Sequence, residues 1–257
     1  MPSMTPAPSL IAAAALTVAT LAGCTPAPPK PTTTTASITT TTSTTTTTSA
    51  ANGAPPAAET HGYTITSITL PGSPPGTSVT VPQLAGGDPA VTARFNAAMQ
   101  ASRAGMPQPS DDTSVSDGEL PGGFRSGVTR IGSGVVAGRI VLLWYGKGAA
   151  HPNQSLGTVV IATRTATPVT VNDLYQAPAA ALARLRMLLP QLDTSGRLNE
   201  QWLSGDDIDV NWLPTPSGLQ VYVPVAHALG DYVPVTVPWD RIADLLRPGM
   251  LEVLRAD

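Results

Sequence analysis

The sequence contains little cysteine, little charge and few aromatic side chains. It has one cysteine among 257 residues, which excludes an intramolecular disulfide framework and any metal site built from several cysteines. Only 12% of the residues are charged and the formal net charge is −3, so the basic excess typical of nucleic-acid-binding proteins is absent. We therefore expect no nucleic-acid partner, and a folded domain that is stabilised by burial of apolar side chains alone.

The single cysteine follows a short apolar stretch. Residues 10–23, LIAAAALTVATLAG, have the length of a signal-peptide core and are too short for a bilayer, which takes about 20 apolar residues to span. The sequence LAGC at residues 21–24 resembles the lipobox of bacterial lipoproteins, in which the chain is cut before a lipid-modified cysteine. We expect residues 1–23 to be a lipoprotein signal peptide and Cys24 to anchor the chain to the extracytoplasmic face of the cell membrane. The alternative is an ordinary secretory signal with a chance cysteine.

Residues 24–58 are rich in threonine and proline and contain no aromatic side chain. Such a segment has too little apolar surface to offset the entropy lost on ordering, so it is predicted to be a disordered tether. Ser/Thr-rich tracts with proline are also typical of O-glycosylated stalks, and a bare flexible spacer is the alternative. Extended at roughly 3.1 Å per residue, the segment would reach on the order of 100 Å.

From residue 59 to residue 257 the composition becomes globular and predicts one domain. Apolar residues that alternate with polar ones, bounded by turn residues, predict most of the strands. The predicted strands are 63–70, 78–83, 124–131, 135–145, 156–164 with an extension over 167–171, 208–213, 219–225 and 233–237. Residues 107–123, which are acidic and rich in helix and strand breakers, are predicted to be a loop.

Three helices are predicted among these strands. The first begins at Pro89 after the N-cap Asp88 and buries Val91, Phe95 and Met99. The second covers 179–189 and ends at Pro190, and the last begins at Pro238 and places Trp239, Ile242 and Leu246 on one face. The pattern favours an α+β fold: a largely antiparallel sheet with a few packed helices.

Three motifs in the second half of the chain follow one another in a familiar order. A glycine-rich turn ending in Ala-His-Pro lies at residues 148–152, a Thr-x-x-Asp-Leu-aromatic element lies at 170–175, and a Val-Pro-aromatic step lies at 237–239. In this order they resemble the DUF3298 domain, over roughly residues 60 to 257. The resemblance implies an α+β fold and an extracytoplasmic setting, but no established activity. The domain occurs in secreted mycobacterial immunogenic proteins and in RsiV-type anti-sigma factors, which sense lysozyme; the sequence lacks the transmembrane and sigma-binding segments of those sensors, so signalling is not implied.

The candidate ligand-binding residues are His151, Trp144 and Tyr145. His151 lies in the Ala-His-Pro turn, where the alternative role is a loop histidine that fixes the turn through backbone hydrogen bonds. Trp144 and Tyr145 are adjacent on a predicted strand and therefore face opposite sides of the sheet. One is expected in the core and the other near the His151 turn, as a stacking surface for sugars or apolar ligands; packing of both in the core is the alternative.

The sequence gives little support for a metal site, a cofactor site or a serine nucleophile. His61, His151 and His227 are far apart in the sequence and no H-E-x-x-H occurs, so neither a metal site nor a cofactor is predicted. His227 is expected to be half-buried and satisfied. No G-x-S-x-G nucleophile motif is present. The acidic residues 206–209 are predicted to be a solvated turn, because the spacing of a calcium loop is missing.

These features favour a membrane-anchored envelope lipoprotein whose domain binds a cell-wall glycan, a lipid, or a muramidase-type (lysozyme-like) protein. The alternative is an envelope hydrolase acting on glycan or ester bonds, and a third possibility is a non-catalytic helper in envelope assembly. A carboxylate and an open pocket beside His151 would favour the hydrolase. A His151 that is held by backbone carbonyl groups, with no cleft beside it, would favour binding or scaffolding.

Overall fold

The computed structural model describes residues 61–205 and 210–257. The predicted signal peptide, Cys24, the tether, the acidic turn at 206–209 and the first two residues of the predicted strand at 208–213 lie outside the described residues. Within the described ranges, no helix combines the length and apolar character needed to cross a membrane.

The domain begins with an antiparallel hairpin and a helix. Strands β1 (Tyr63–Pro71) and β2 (Ser78–Gly86) lie at two of the predicted strand positions and pair with each other along their whole length. Helix α1 (Pro89–Ala104) begins where the Asp88 carboxylate accepts the backbone N–H groups of its first turn, at 2.8 and 3.0 Å. The three apolar residues predicted to share one face of this helix are all buried.

The central sheet has five strands. They are β3 (Thr113–Asp117), β4 (Gly127–Ile131), β5 (Val135–Gly146), β6 (Asn153–Ala162) and β7 (Thr167–Pro168). The sheet runs β3-β5-β6-β7, with β4 also paired to β5, and every pairing is antiparallel. The prediction of a loop over 107–123 is wrong for the residues of β3, which form an edge of this sheet: Val115 is buried and pairs with Trp144 of β5. The segment at 167–171 was expected to extend β6, but instead it turns back and pairs with β6 as β7.

The second half of the domain adds a three-stranded antiparallel sheet in the order β10-β9-β8 and three helices. The strands are β8 (Trp212–Pro214), β9 (Gly218–Pro224) and β10 (Tyr232–Pro238). The helices are α2 (Val171–Leu174), α3 (Pro178–Leu192) and α4 (Met250–Arg255). Short 3-10 turns cover Glu200–Leu203, His227–Leu229, Trp239–Arg241 and Ala243–Leu245. The predicted class, α+β with largely antiparallel sheets, is confirmed.

Two helix boundaries differ from the prediction. Helix α3 continues past Pro190 to Leu192, because a proline in the last turn removes one hydrogen bond without blocking the two residues that follow. The chain after Pro238 forms two 3-10 turns instead of a single helix, and α4 begins only after Gly249. Trp239, Ile242 and Leu246 are nevertheless buried, so the expected apolar contacts form on a different backbone.

The core lies on both faces of β5 and β6. On one face Val136, Ile140 and Leu142 pack with α1 and β2, and on the other Val135 and Val141 pack with α3 and the β8–β10 sheet. This follows from the alternation of side chains along a strand.

The C-terminal residues are held by Arg130 of β4. One guanidinium nitrogen, Nη2, donates to the carbonyl oxygens of Arg255 and Ala256 at 3.0 Å and to the Asp257 carboxylate at 2.7 Å. A cation at the C-terminal end of a helix also interacts favourably with the helix dipole. The nearly buried Arg130 therefore fixes α4 against the central sheet.

Candidate functional site

The His151 turn connects β5 to β6. The structure leaves His151 exposed, with its ring Nδ1 3.0 Å from the carbonyl oxygen of Pro152. The imidazole ring stacks on that of His227, with ring centroids 4.0 Å apart and planes only 6° from parallel. The fold therefore brings together two of the three histidines, which are far apart in the sequence.

His227 is oriented by Asp231. Its Nδ1 lies 3.1 Å from the Asp231 carboxylate oxygen Oδ2, which also accepts the backbone N–H of Gln154 at 2.8 Å. Asp231 is only 9% exposed. Because a carboxylate oxygen accepts, this hydrogen bond places a proton on Nδ1 of His227.

The backbone places Asp231 at the turn between β9 and β10. Gly230 and Asp231 both have positive φ angles, 99° and 64°. Glycine adopts this left-handed region freely, and aspartate is among the few other residues that tolerate it. The turn directs the Asp231 side chain toward the start of β6, so one carboxylate joins the β9–β10 turn to the strand that follows His151.

The two aromatic candidates lie beside the turn but do not join the stack. Trp144 is partly buried against the core formed with α1, while Tyr145 is 37% exposed. In the part of the chain that the structure describes, the ring contact of His151 is with His227 and not with either aromatic residue. Sequence reasoning missed the partnership of His227 with Asp231; their four-residue spacing, with a glycine before the aspartate, was the available signal.

The His151–His227–Asp231 cluster offers an exposed and a half-buried imidazole on a buried acidic support. Within residues 61–205 and 210–257, no serine, threonine or cysteine side chain hydrogen-bonds to either ring, and no cluster of three potential metal ligands is present. The cluster can therefore accept and donate hydrogen bonds at the surface, and it lacks a prepared nucleophile.

A separate cleft of about 380 Å³ lies between α1, β6, β7 and the start of β8. The Thr-x-x-Asp motif forms one side: Thr170 donates to the Asp173 carboxylate from its hydroxyl at 2.6 Å and from its backbone at 2.9 Å. These hydrogen bonds hold the pKa of Asp173 below its usual value. The motif is therefore a capping box for α2, and it positions the residues that line the cleft.

No family model matches the sequence, and no curated protein matches it. The described fold is similar to the crystal structure of a DUF3298 family member, BF2082 from Bacteroides fragilis, with a TM-score of 0.56, 14% identity, and coverage of 76% of this chain and 98% of that one. A second DUF3298 structure, PA4972 from Pseudomonas aeruginosa, aligns with a TM-score of 0.49 and 12% identity over 76% of this chain and 97% of its own. The described helix-and-sheet arrangement is therefore similar to the fold of the Bacteroides fragilis member of the DUF3298 family.

Proposed function

We propose that this chain is a cell-envelope lipoprotein, anchored in the membrane through an acylated Cys24, whose folded domain binds an envelope ligand. The candidate ligands are a cell-wall glycan, a lipid or a muramidase-type protein. The lipobox-like sequence supports the anchor and the DUF3298 fold supports an extracytoplasmic setting. The observation that carries the binding role is the parallel stack of His151 on His227 above the buried Asp231.

A stacked pair of planar rings, one exposed and one half-buried, suits binding for two reasons. The ring faces offer apolar surface, and the ring nitrogens offer hydrogen bonds at the same place. The Asp231 carboxylate and the backbone of β6 fix the inner ring, so little freedom is left to lose when a ligand binds.

One observation favours a second candidate, an envelope hydrolase. The His227–Asp231 pair has the arrangement of a general base oriented by a carboxylate. Release of product from muropeptides or ester substrates by the purified chain, abolished by His227→Ala, would establish this role. Unchanged substrates after prolonged incubation would leave the binding role.

The binding role is tested by thermal shift of the full chain against muropeptides, envelope lipids and lysozyme. A ligand at 100 times its dissociation constant adds about 2.7 kcal/mol, which raises the Tm of a domain of this size by about 5–10 °C. We expect one ligand class to raise Tm, and His151→Ala to remove that rise. His61→Ala, a change at another exposed histidine, is the matched control and should keep it. An equal rise in all three proteins would exclude the histidine pair as the binding surface.

The anchor is tested at Cys24. We expect the mature protein to begin at Cys24 with a mass increased by its acyl groups, and Cys24→Ala to abolish both processing and membrane retention, because the thiol that carries the lipid is gone. Thr25→Ala is the matched control and should remain acylated. Intact-mass spectrometry and membrane fractionation are the measurements. An unmodified mature terminus at another residue would refute the anchor.

A further inference from the structure

Strand β1 is an edge strand with one free side. It belongs to a two-stranded sheet and, among the described residues, it is hydrogen-bonded to β2 alone. In an antiparallel pair, residues that face each other direct their backbone groups toward each other at one position and away from each other at the next. The backbone contacts of β2 therefore show which residues of β1 direct their groups outward.

The far side of β2 is hydrogen-bonded to other parts of the domain. The backbone N–H and C=O of Leu84 both bond to the Asn96 side chain of α1, at 2.8 and 2.9 Å. The backbone N–H of Thr80 donates to the Asp117 carboxylate at 2.8 Å. These groups point away from β1, so the residues of β1 that face them, and the one midway between, point away from β2. The outward residues of β1 are Ile65, Ser67 and Thr69.

The two edges of this hairpin differ in their protection. On the β2 edge, side chains accept the outward N–H groups of Thr80 and Leu84, and Pro82 between them has no N–H to leave unpaired. On the β1 edge, residues 63–70 contain no proline and no charged residue, and the unbroken register with β2 leaves no bulge. Natural edge strands are usually protected by one of these devices. Strand β1 therefore has the features of a strand that pairs with another one.

The side chains of β1 add apolar surface along the same edge. Ile65 is 46% exposed and Ile68 is 39% exposed, and they are two of the five large apolar side chains that are exposed in the described ranges. Because side chains alternate along a strand, these two lie on opposite faces of the hairpin. A strand added at this edge would cover part of both.

We infer that the free edge of β1 pairs antiparallel with β1 of a second copy of this chain, across a two-fold axis. Such pairing is self-complementary, because the outward residues have the same spacing on both copies and each N–H meets a C=O. Residues 63–70 carry no charge, so identical strands meet without like-charge repulsion along the strand. Residues 1–60 join the described domain just before Tyr63, and an antiparallel pair places these two joining points at opposite ends.

The size of this contact predicts a weak dimer. Interfaces that bury less than about 1,200 Å² in total are typical of transient complexes, and a single pair of edge strands is a contact of that class. Association should therefore depend on protein concentration. The edge shares no residue with the His151–His227–Asp231 cluster, so this dimer does not depend on the proposed ligand-binding role.

Sedimentation of the full chain over a range of concentrations tests the pairing, under reducing conditions so that Cys24 cannot link two copies. Ile65→Lys places at the edge the residue type by which natural edges avoid pairing, and should weaken dimerisation at least about tenfold. Met187→Lys makes the same change at an exposed apolar residue of α3 and should leave dimerisation unchanged. Ser67→Pro removes an outward N–H that β2 does not use, and should also weaken the dimer.

Hydrogen exchange with residue-level resolution identifies the paired edge. Once the dimer predominates, a hundredfold rise in concentration lowers the monomer fraction about tenfold by mass action, so the amides of the three outward residues should exchange about tenfold more slowly. The amides of Thr64, Thr66 and Ile68 donate to β2 and should be protected at every concentration.

Three results would overturn the inference. One is a full chain that stays monomeric at every concentration while the outward amides exchange freely. Another is a monomer in which these amides are protected, which would show that another segment of the same chain covers the edge. The third is a dimer that Ile65→Lys and Met187→Lys weaken equally, because its interface would then lie elsewhere.

Discussion

Replacement of Asp231 by alanine is expected to lower the free energy of unfolding by about 3 kcal/mol. The change removes the acceptor for the Gln154 backbone N–H and for His227 Nδ1, and both donors lie at a partly buried junction. It also places alanine at a φ of 64°, where a non-glycine residue pays about 1–2 kcal/mol unless its side chain bonds locally, as that of aspartate does. Urea unfolding of parent and variant measures the loss.

Asp231→Asn is the matched control, because asparagine tolerates the left-handed backbone and keeps one side-chain oxygen as an acceptor. We expect it to lose about 1 kcal/mol and to preserve part of the ligand response that depends on His151. A stability of Asp231→Ala within about 0.5 kcal/mol of the parent would show that the carboxylate does not join β6 to the β9–β10 turn.

Phe95→Ala is expected to have the largest effect on stability, a loss of about 4 kcal/mol and about 10 °C in Tm. Phe95 of α1 is completely buried against the central sheet. Its ring lies so close to β5 that a Cβ atom added at Gly138 would be 2.9 Å from Phe95 Cζ. The backbone of a paired strand cannot move in to fill the space left by the ring, so a cavity would remain. Thermal unfolding followed by circular dichroism measures the change.

Arg94→Ala provides the comparison on the same helix turn. Arg94 is exposed, and alanine is a better helix former, so this variant should differ from the parent by less than about 0.5 kcal/mol. If Phe95→Ala were equally mild, the contact between α1 and the sheet would not be a main source of stability.

The elements that the sequence predicted correctly are those with a strong local signal. Helix α1 has an N-cap, a proline in its first turn and three apolar residues on one face, and all of these can be seen within one segment. Strand β3 has no such signal: among its five residues only Val115 is a large apolar residue. It is a strand because β5 offers a free edge to pair with, and that partner lies far away in the sequence.

The histidine pair was beyond sequence reasoning for the same reason. The Ala-His-Pro motif identified His151 as a candidate, but the ring contact of His151 is with His227, which lies between β9 and β10. The hydrogen bond that supports this turn joins Gln154 to Asp231, which are 77 positions apart.

The contact of Arg130 with the C-terminal residues has a consequence for the order in which the domain is completed. A ribosome makes β4 long before residues 255–257, which are 125 to 127 positions further along the chain. Until those residues have been synthesised, the charged Arg130 lacks the acceptors that offset the cost of its burial. A partly synthesised chain therefore cannot form the final contact between β4 and α4. The contact between β4 and α4 therefore belongs to a late stage of folding, after residues 255–257 have left the ribosome.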